Sequence, residues 1–194
     1  MIAIRHACKV LVLLVLASPI ALAKEPAKPA TAKLKFGGVE YVHRASMNGR
    51  SDFTPASQPG LDSWRDRVTI IVRENVTSGQ QLSSIAGNLY DTVSDLGEIV
   101  RTESVPNPRT KETEHFIAAR LQGKGFTQAA FARLALVEGK GVLVVYSHRS
   151  YGQYSAETST GWMDRNGEST EAELMSWTGM PKLAQLRALP QSKK

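Results

Sequence analysis

The sequence predicts an α+β domain, a mostly antiparallel sheet covered by helices, and three observations predict it. Ala129–Tyr151 reads AAFARLALVEGKGVLVVYSHRSY, two apolar runs of strand-like residues on either side of Glu138-Gly139-Lys140-Gly141, which is a long antiparallel hairpin. Leu82, Ile85, Ala86, Leu89, Val93 and Leu96 recur at three- and four-residue spacing, the stripe of an amphipathic helix. Short β-rich runs punctuated by Asn-Gly, Gly-Lys-Gly and Pro surround both.

The central hairpin organises the rest. With Gly139 and Lys140 as its two loop residues, glycine supplying the positive φ of a tight turn, Val137 faces Val142 and Leu134 faces Val145. Side chains alternate along a strand, so Leu134, Leu136, Leu143 and Val145 share one face. Phe131, Arg133, Ala135, Val137, Val142, Val144, Tyr146 and His148 share the other. Both faces are apolar near the turn, which predicts a hairpin covered on both sides.

Taken in order, the chain opens on an export signal. Arg5 and Lys9 flank a short basic start, Val10–Ile20 is apolar, and Ala21-Leu22-Ala23 has the small-x-small form of a cleavage site, which places cleavage after Ala23. The apolar run is short for a membrane span and Pro19 interrupts it. Residues 24–35, KEPAKPATAKLK, read as a flexible leader, and a single domain is expected over 36–181. Val39–Ser46 and Arg50–Thr54 form a first hairpin around Asn48-Gly49, a type I′ turn signal. Trp64–Glu74, WRDRVTIIVRE, is the next strand. Ser78 with Gln81 resembles a capping box that starts the long helix, and Gly97 sits where a left-handed cap ends it. Glu98–Val105, Glu114–Gln122 and the central hairpin make a four-strand meander, with Pro106-Asn107-Pro108-Arg109 as a loop. Two short helices follow, Glu157–Arg165 stopped by Asn166-Gly167 and Thr170–Trp177 capped by Ser169. Residues 182–194 are polar and expected to fray.

Composition narrows the chemistry. Cys8 is the single cysteine and lies in the signal, so a disulfide scaffold, a Cys-ligated metal and a thiol nucleophile are excluded for the exported chain. The 24 Lys and Arg outnumber 18 Asp and Glu; loss of Arg5 and Lys9 leaves 22 against 18, a net charge of +4. No basic run is interleaved with aromatics, which argues against nucleic acid and for solubility or an acidic partner.

A doubled tetrapeptide invites a functional reading: Tyr41-Val42-His43-Arg44 and Tyr146-Ser147-His148-Arg149. On a strand, Tyr and His project from one face and Arg from the other. If the two strands approach, the Tyr–His pairs form a polar cluster suited to an acidic or aromatic group, with Arg44 and Arg149 as acid-binding residues. The plainer reading is hydrogen-bonded structural residues near a sheet edge. No Gly-x-Ser-x-Gly elbow and no His-Glu-x-x-His pair is present, so no catalytic residue is assigned. His43, His115 and His148 lack the close spacing of metal ligands, and no metal or cofactor is assigned. Glu112-Thr113-Glu114-His115 reads as an exposed charged edge, and Trp64, Trp162 and Trp177 as packing residues.

The order of elements, an initial hairpin, a Trp64-led strand, one long helix, a meander and C-terminal helices after an export signal, resembles the PsbP-like α/β/α sandwich over Phe36–Gly179. The chain also looks like small exported bacterial proteins of uncharacterised role. The PsbP-like resemblance implies a protein that docks on other proteins without turnover, and carries over no functional residue. The expectation is a non-catalytic protein-binding or accessory protein of the periplasm, a toxin-immunity protein being one form, whose partner is another periplasmic protein. The alternative is a small periplasmic hydrolase or metal-dependent enzyme using His43, His115 and His148.

Overall fold

The computed structural model describes residues 32–192. The predicted signal peptide, its cleavage site and residues 24–31 of the leader lie outside the described residues. Alternation and turn chemistry build the sheet in two meanders. The first is β1 (Lys33–Phe36), β2 (Val39–Met47), β3 (Arg50–Pro55) and β4 (Asp66–Arg73). The second is β5 (Gly97–Pro106), β6 (Thr113–Gly123), β7 (Phe126–Val137) and β8 (Lys140–Tyr151). They join in one eight-stranded antiparallel sheet in the order β1-β2-β3-β4-β8-β7-β6-β5. The fold is therefore the expected mostly antiparallel sheet with a few helices.

Both predicted hairpins form, and the central one corrects its register. Asn48 and Gly49 have φ of 52° and 78°, the pair of positive values that a type I′ turn requires. In the central hairpin the positive values fall on Glu138 (50°) and Gly139 (71°), not on Gly139 and Lys140. Val137 therefore pairs with Lys140 and Leu134 with Leu143. Moving the loop by one position moves every partner by two. The expected faces survive because side-chain parity is unchanged.

Helix α1 (Gly79–Leu96) follows β4, and the Ser78 side chain accepts from the Gln81 amide as expected. Gln81 reaches back one residue further than a capping box, its Oε1 accepting from Thr77 N at 2.8 Å. Gly97 is extended, with φ 178°, rather than left-handed. A Cβ there would collide with the carbonyl of Arg120, so close backbone approach requires the glycine. Leu82 and Ala86 of α1 join Val76 and Leu134 in a small core, with Leu136 and Leu143 against it.

The two expected C-terminal helices are one, α2 (Ser155–Ser176). Asn166 and Ser169 bond back within the helix, to Trp162 O at 2.8 Å and Asn166 O at 3.0 Å, instead of ending and restarting it. Gly167 costs about 1 kcal/mol of helix propensity. Burial of the face that carries Leu174, with Trp162 and Met163 against the main core, outweighs it. Two further boundaries move. Lys33–Lys35, expected in the leader, belong to β1, where Leu34 and Phe36 are buried. The expected fraying tail holds α3 (Leu183–Arg187), and Leu183, Leu186 and Leu189 are core residues. Helix α1 thus covers one face of the sheet over β5, β6 and β7, and α2 packs over β6, β7 and β8 on the other.

Candidate binding cleft

Period-two alternation on β8 sends Val144, Tyr146 and His148 to the face beneath α2. On β4 the same parity carries Val68, Ile70 and Val72 to that face, and with them Asp66, whose register partner is His148. Asp66 is the centre of the site. Its Oδ1 accepts from Tyr146 Oη at 2.9 Å and from His148 Nδ1 at 2.9 Å. Its Oδ2 accepts from Gln58 Nε2 at 3.1 Å. Gln58 Oε1 in turn accepts from the amides of Arg65 (2.7 Å) and Asp66 (2.9 Å), clamping the start of β4 to the loop after β3.

Aromatic rings wall the site. Trp162 of α2 stacks on the His148 ring, with centroids 4.2 Å apart and planes 6° from parallel. Tyr146 lies 5.1 Å from Phe36 and 6.2 Å from Trp162, centroid to centroid. Between the β1–β2 edge, β4 and α2 these groups leave a cleft of about 550 Å³, lined by Phe36, Tyr41, Asp66, Tyr146, Trp162 and Glu173 among others. Its lining includes two carboxylates and no Lys, Arg or His. Burial, then the Asp66 charge, raises both Tyr41 and Tyr146, so both phenols stay neutral. Burial would raise Asp66, but hydrogen bonds from His148, Gln58 and Tyr146 outweigh it and hold its carboxyl below the ordinary range.

The doubled tetrapeptide is only partly gathered here. Tyr41 and Tyr146 line the cleft, and His148 lies behind Asp66. Strands β2 and β8 are not neighbours, since β3 and β4 lie between them; Asp66 of β4 bonds the Tyr and His of β8, and Tyr41 of β2 shares the cleft lining with it. His43 is on the same face but bonds Ser46 Oγ at 2.7 Å and packs edge-on against Phe53 at 5.4 Å. That is the plainer, structural reading. Arg44 occupies a β-bulge and donates to Thr54 Oγ1 (2.8 Å) and Pro55 O (2.9 Å) on the opposite face. Arg149 is on that opposite face too, so the cleft has no acid-binding arginine. An acidic group would therefore meet Asp66 and Glu173 in this cleft and no cation of its lining.

Asp66, Gln58 and Trp162 were missed by pattern reading. The available signal was a carboxylate in phase with the apolar residues of its own strand, as Asp66 is with Val68 and Ile70. The three histidines do not meet. His115 bonds Ser104 Oγ (2.8 Å) and Ser83 Oγ (3.1 Å) on the α1 face. No group of three or more His, Cys, Asp or Glu is placed to hold a metal among the described residues. Glu114 is not an exposed edge charge. It is 5% exposed and paired through both oxygens with Arg133, at 2.9 Å each. No helix among the described residues is long and apolar enough to cross a membrane.

No family model and no curated protein matches this chain. Among solved structures it is similar to the solution structure of cyanobacterial PsbP (CyanoP) from Synechocystis sp. PCC 6803, with 11% identity over 82% of this chain and 98% of that one and a TM-score of 0.39. It is also similar to the Ran-binding protein Mog1p of Saccharomyces cerevisiae, with 8% identity over 81% of this chain and 89% of that one and a TM-score of 0.36. A weak PsbP-like resemblance is therefore found among solved structures as well, and neither likeness bears on the chemistry of the cleft.

Proposed function

We propose that this protein acts by non-covalent binding of another protein, and that the cleft receives a cationic side chain of that partner. One observation carries the reading: an ionised Asp66 held by three donors at the floor of an aromatic-walled cleft whose other charged lining residue is Glu173. Phe36, Tyr41, Tyr146 and Trp162 offer ring faces and the carboxylates a charge, the combination that recognises ammonium or guanidinium groups. Both phenols and the carboxyl titrate away from neutrality, so they favour binding over proton transfer. Export to the periplasm is the accompanying proposal, supported by Arg5, Lys9, the apolar Val10–Ile20 and Ala21-Leu22-Ala23. A toxin-immunity protein that blocks an effector there is its most specific form; a toxin gene beside this one supports it, and failure to bind that toxin sinks it.

The test is titration of the full chain with a tetralysine peptide, followed by tryptophan fluorescence, beside Asp66→Asn and Glu173→Gln. Glu173 is exposed and its loss leaves the core intact. The expected result is binding weakened about tenfold in each variant, the scale of a charge-assisted contact. Equal affinity in all three proteins would remove the cleft from the function.

A further inference from the structure

The sheet face opposite the cleft carries a second set of charges. Helix α1 packs on its β5–β7 half. On the β2–β3–β4–β8 half, strand parity and register bring Arg50, Arg67, Arg73 and Arg149 to one side, with Arg44 bonded onto it from the bulge. Asp52 lies among them and is already engaged. It pairs with Arg50 through both oxygens (2.9 and 3.0 Å) and accepts from Thr69 Oγ1 at 2.6 Å.

Two of these arginines are held by aromatic rings. The Arg149 guanidinium lies between Trp64 and Phe126, 3.9 and 3.8 Å from their centroids, and donates from Nε to Gln128 at 3.0 Å. Arg67 lies 4.1 Å from the Trp64 centroid. Its nearest carboxylate is Asp52 at 3.7 Å, and its buried Nε has no hydrogen-bond partner. Burial lowers the Arg67 pKa to about 10, with Arg50 and Arg149 adding to the shift against Asp52. Arg67 and Arg149 are thus fixed in orientation by the rings, and the carboxylate nearest Arg67 is already held by Arg50.

We propose that this face is a docking surface for an acidic, carboxylate-bearing segment of a partner protein, with Arg67 and Arg149 as its recognition residues. Fixed planar guanidiniums present N–H donors in set directions, which suits the planar carboxylate. A fluid layer of lipid headgroups needs no such fixed orientation and is served by mobile lysines. The inference rests on this face alone and stands or falls independently of the cleft.

The experiment titrates the full chain with poly-L-glutamate and, separately, with phosphatidylglycerol vesicles. It compares wild type, Arg67→Gln with Arg149→Gln, Arg67→Lys with Arg149→Lys, and a remote pair, Arg109→Gln with Arg165→Gln, of equal charge change. Binding of polyglutamate is expected to weaken about tenfold in the first pair, severalfold in the lysine pair and less than twofold in the remote pair. Exposed Arg50→Gln with Arg73→Gln reads the same face without touching the ring stack and is expected to lose about threefold. Equal losses in the first and remote pairs would reduce the effect to net charge and overturn the proposal. Full affinity in the lysine pair, or preference for vesicles over polyglutamate, would overturn it too.

Discussion

Replacing Arg133 by Met should destabilise the protein by about 3–5 kcal/mol, the cost of leaving one member of a buried ion pair unpartnered. The geometry places the pair in that class. Side-chain exposure is 13% for Arg133 and 6% for Glu114, far from the solvated bridges worth at most about 1 kcal/mol. Arg133 meets both Glu114 oxygens at 2.9 Å, and its Nη1 donates to Leu174 O (3.0 Å) and Trp177 O (3.2 Å). Those carbonyls close the C-terminus of α2, where a cation is also favoured by the helix dipole. The substitution therefore leaves a buried carboxylate with the neutral Asn107 amide (2.6 Å) in place of a cation, and frees the end of the helix that walls the cleft. At about 2–4 °C per kcal/mol for a protein of this size, Tm should fall by about 6–20 °C. Urea unfolding of wild type, Arg133→Met, Glu114→Gln and the double variant gives the coupling energy directly. The double variant should cost less than the sum of the singles, because no charge is then left unpaired. A loss below about 1 kcal/mol for Arg133→Met would refute the claim that this pair is buried and coupled to α2.

Three further outcomes are expected. The folded-state pKa of Asp66 is depressed, so its contribution is present above the ordinary carboxylate value of about 4 and lost as pH falls through the lower folded value. The stability gap between wild type and Asp66→Asn should therefore be full at pH 7 and shrink below about pH 4; a gap unchanged by urea unfolding at pH 3 contradicts the network. Glu138 holds a positive φ of 50° in a type I′ turn, so Glu138→Asn should stabilise by about 0.5–1 kcal/mol, read as a small rise in Tm. Leu183 of α3 is fully buried, so Leu183→Ala should cost about 2–5 kcal/mol in denaturant unfolding, where a frayed tail would cost less than about 0.5.

By itself the sequence determined what depends on neighbours a few residues away. Alternation in Ala129–Tyr151 set which side chains share a face, and that assignment survived a shifted loop because parity is insensitive to a two-residue slip. Asn48-Gly49 specified its turn, and the Leu82–Leu96 stripe specified α1, because both are read from local backbone preference and helical period. Tertiary structure decided everything that required distant segments to meet. Pairing of β4 with β8 put Asp66 against Tyr146 and His148, residues 80 and 82 positions away, and so made an acidic cleft from a motif read as acid-seeking. The same strand order left His43 to Ser46 and Phe53 and sent both arginines of the motif to the far face. Packing on the main core kept α2 whole through Asn166-Gly167 and recruited Leu183, Leu186 and Leu189 from a polar stretch. Burial is a long-range energy, and where it exceeds the roughly 1 kcal/mol that local propensity commands at one position, the local signal no longer predicts the outcome.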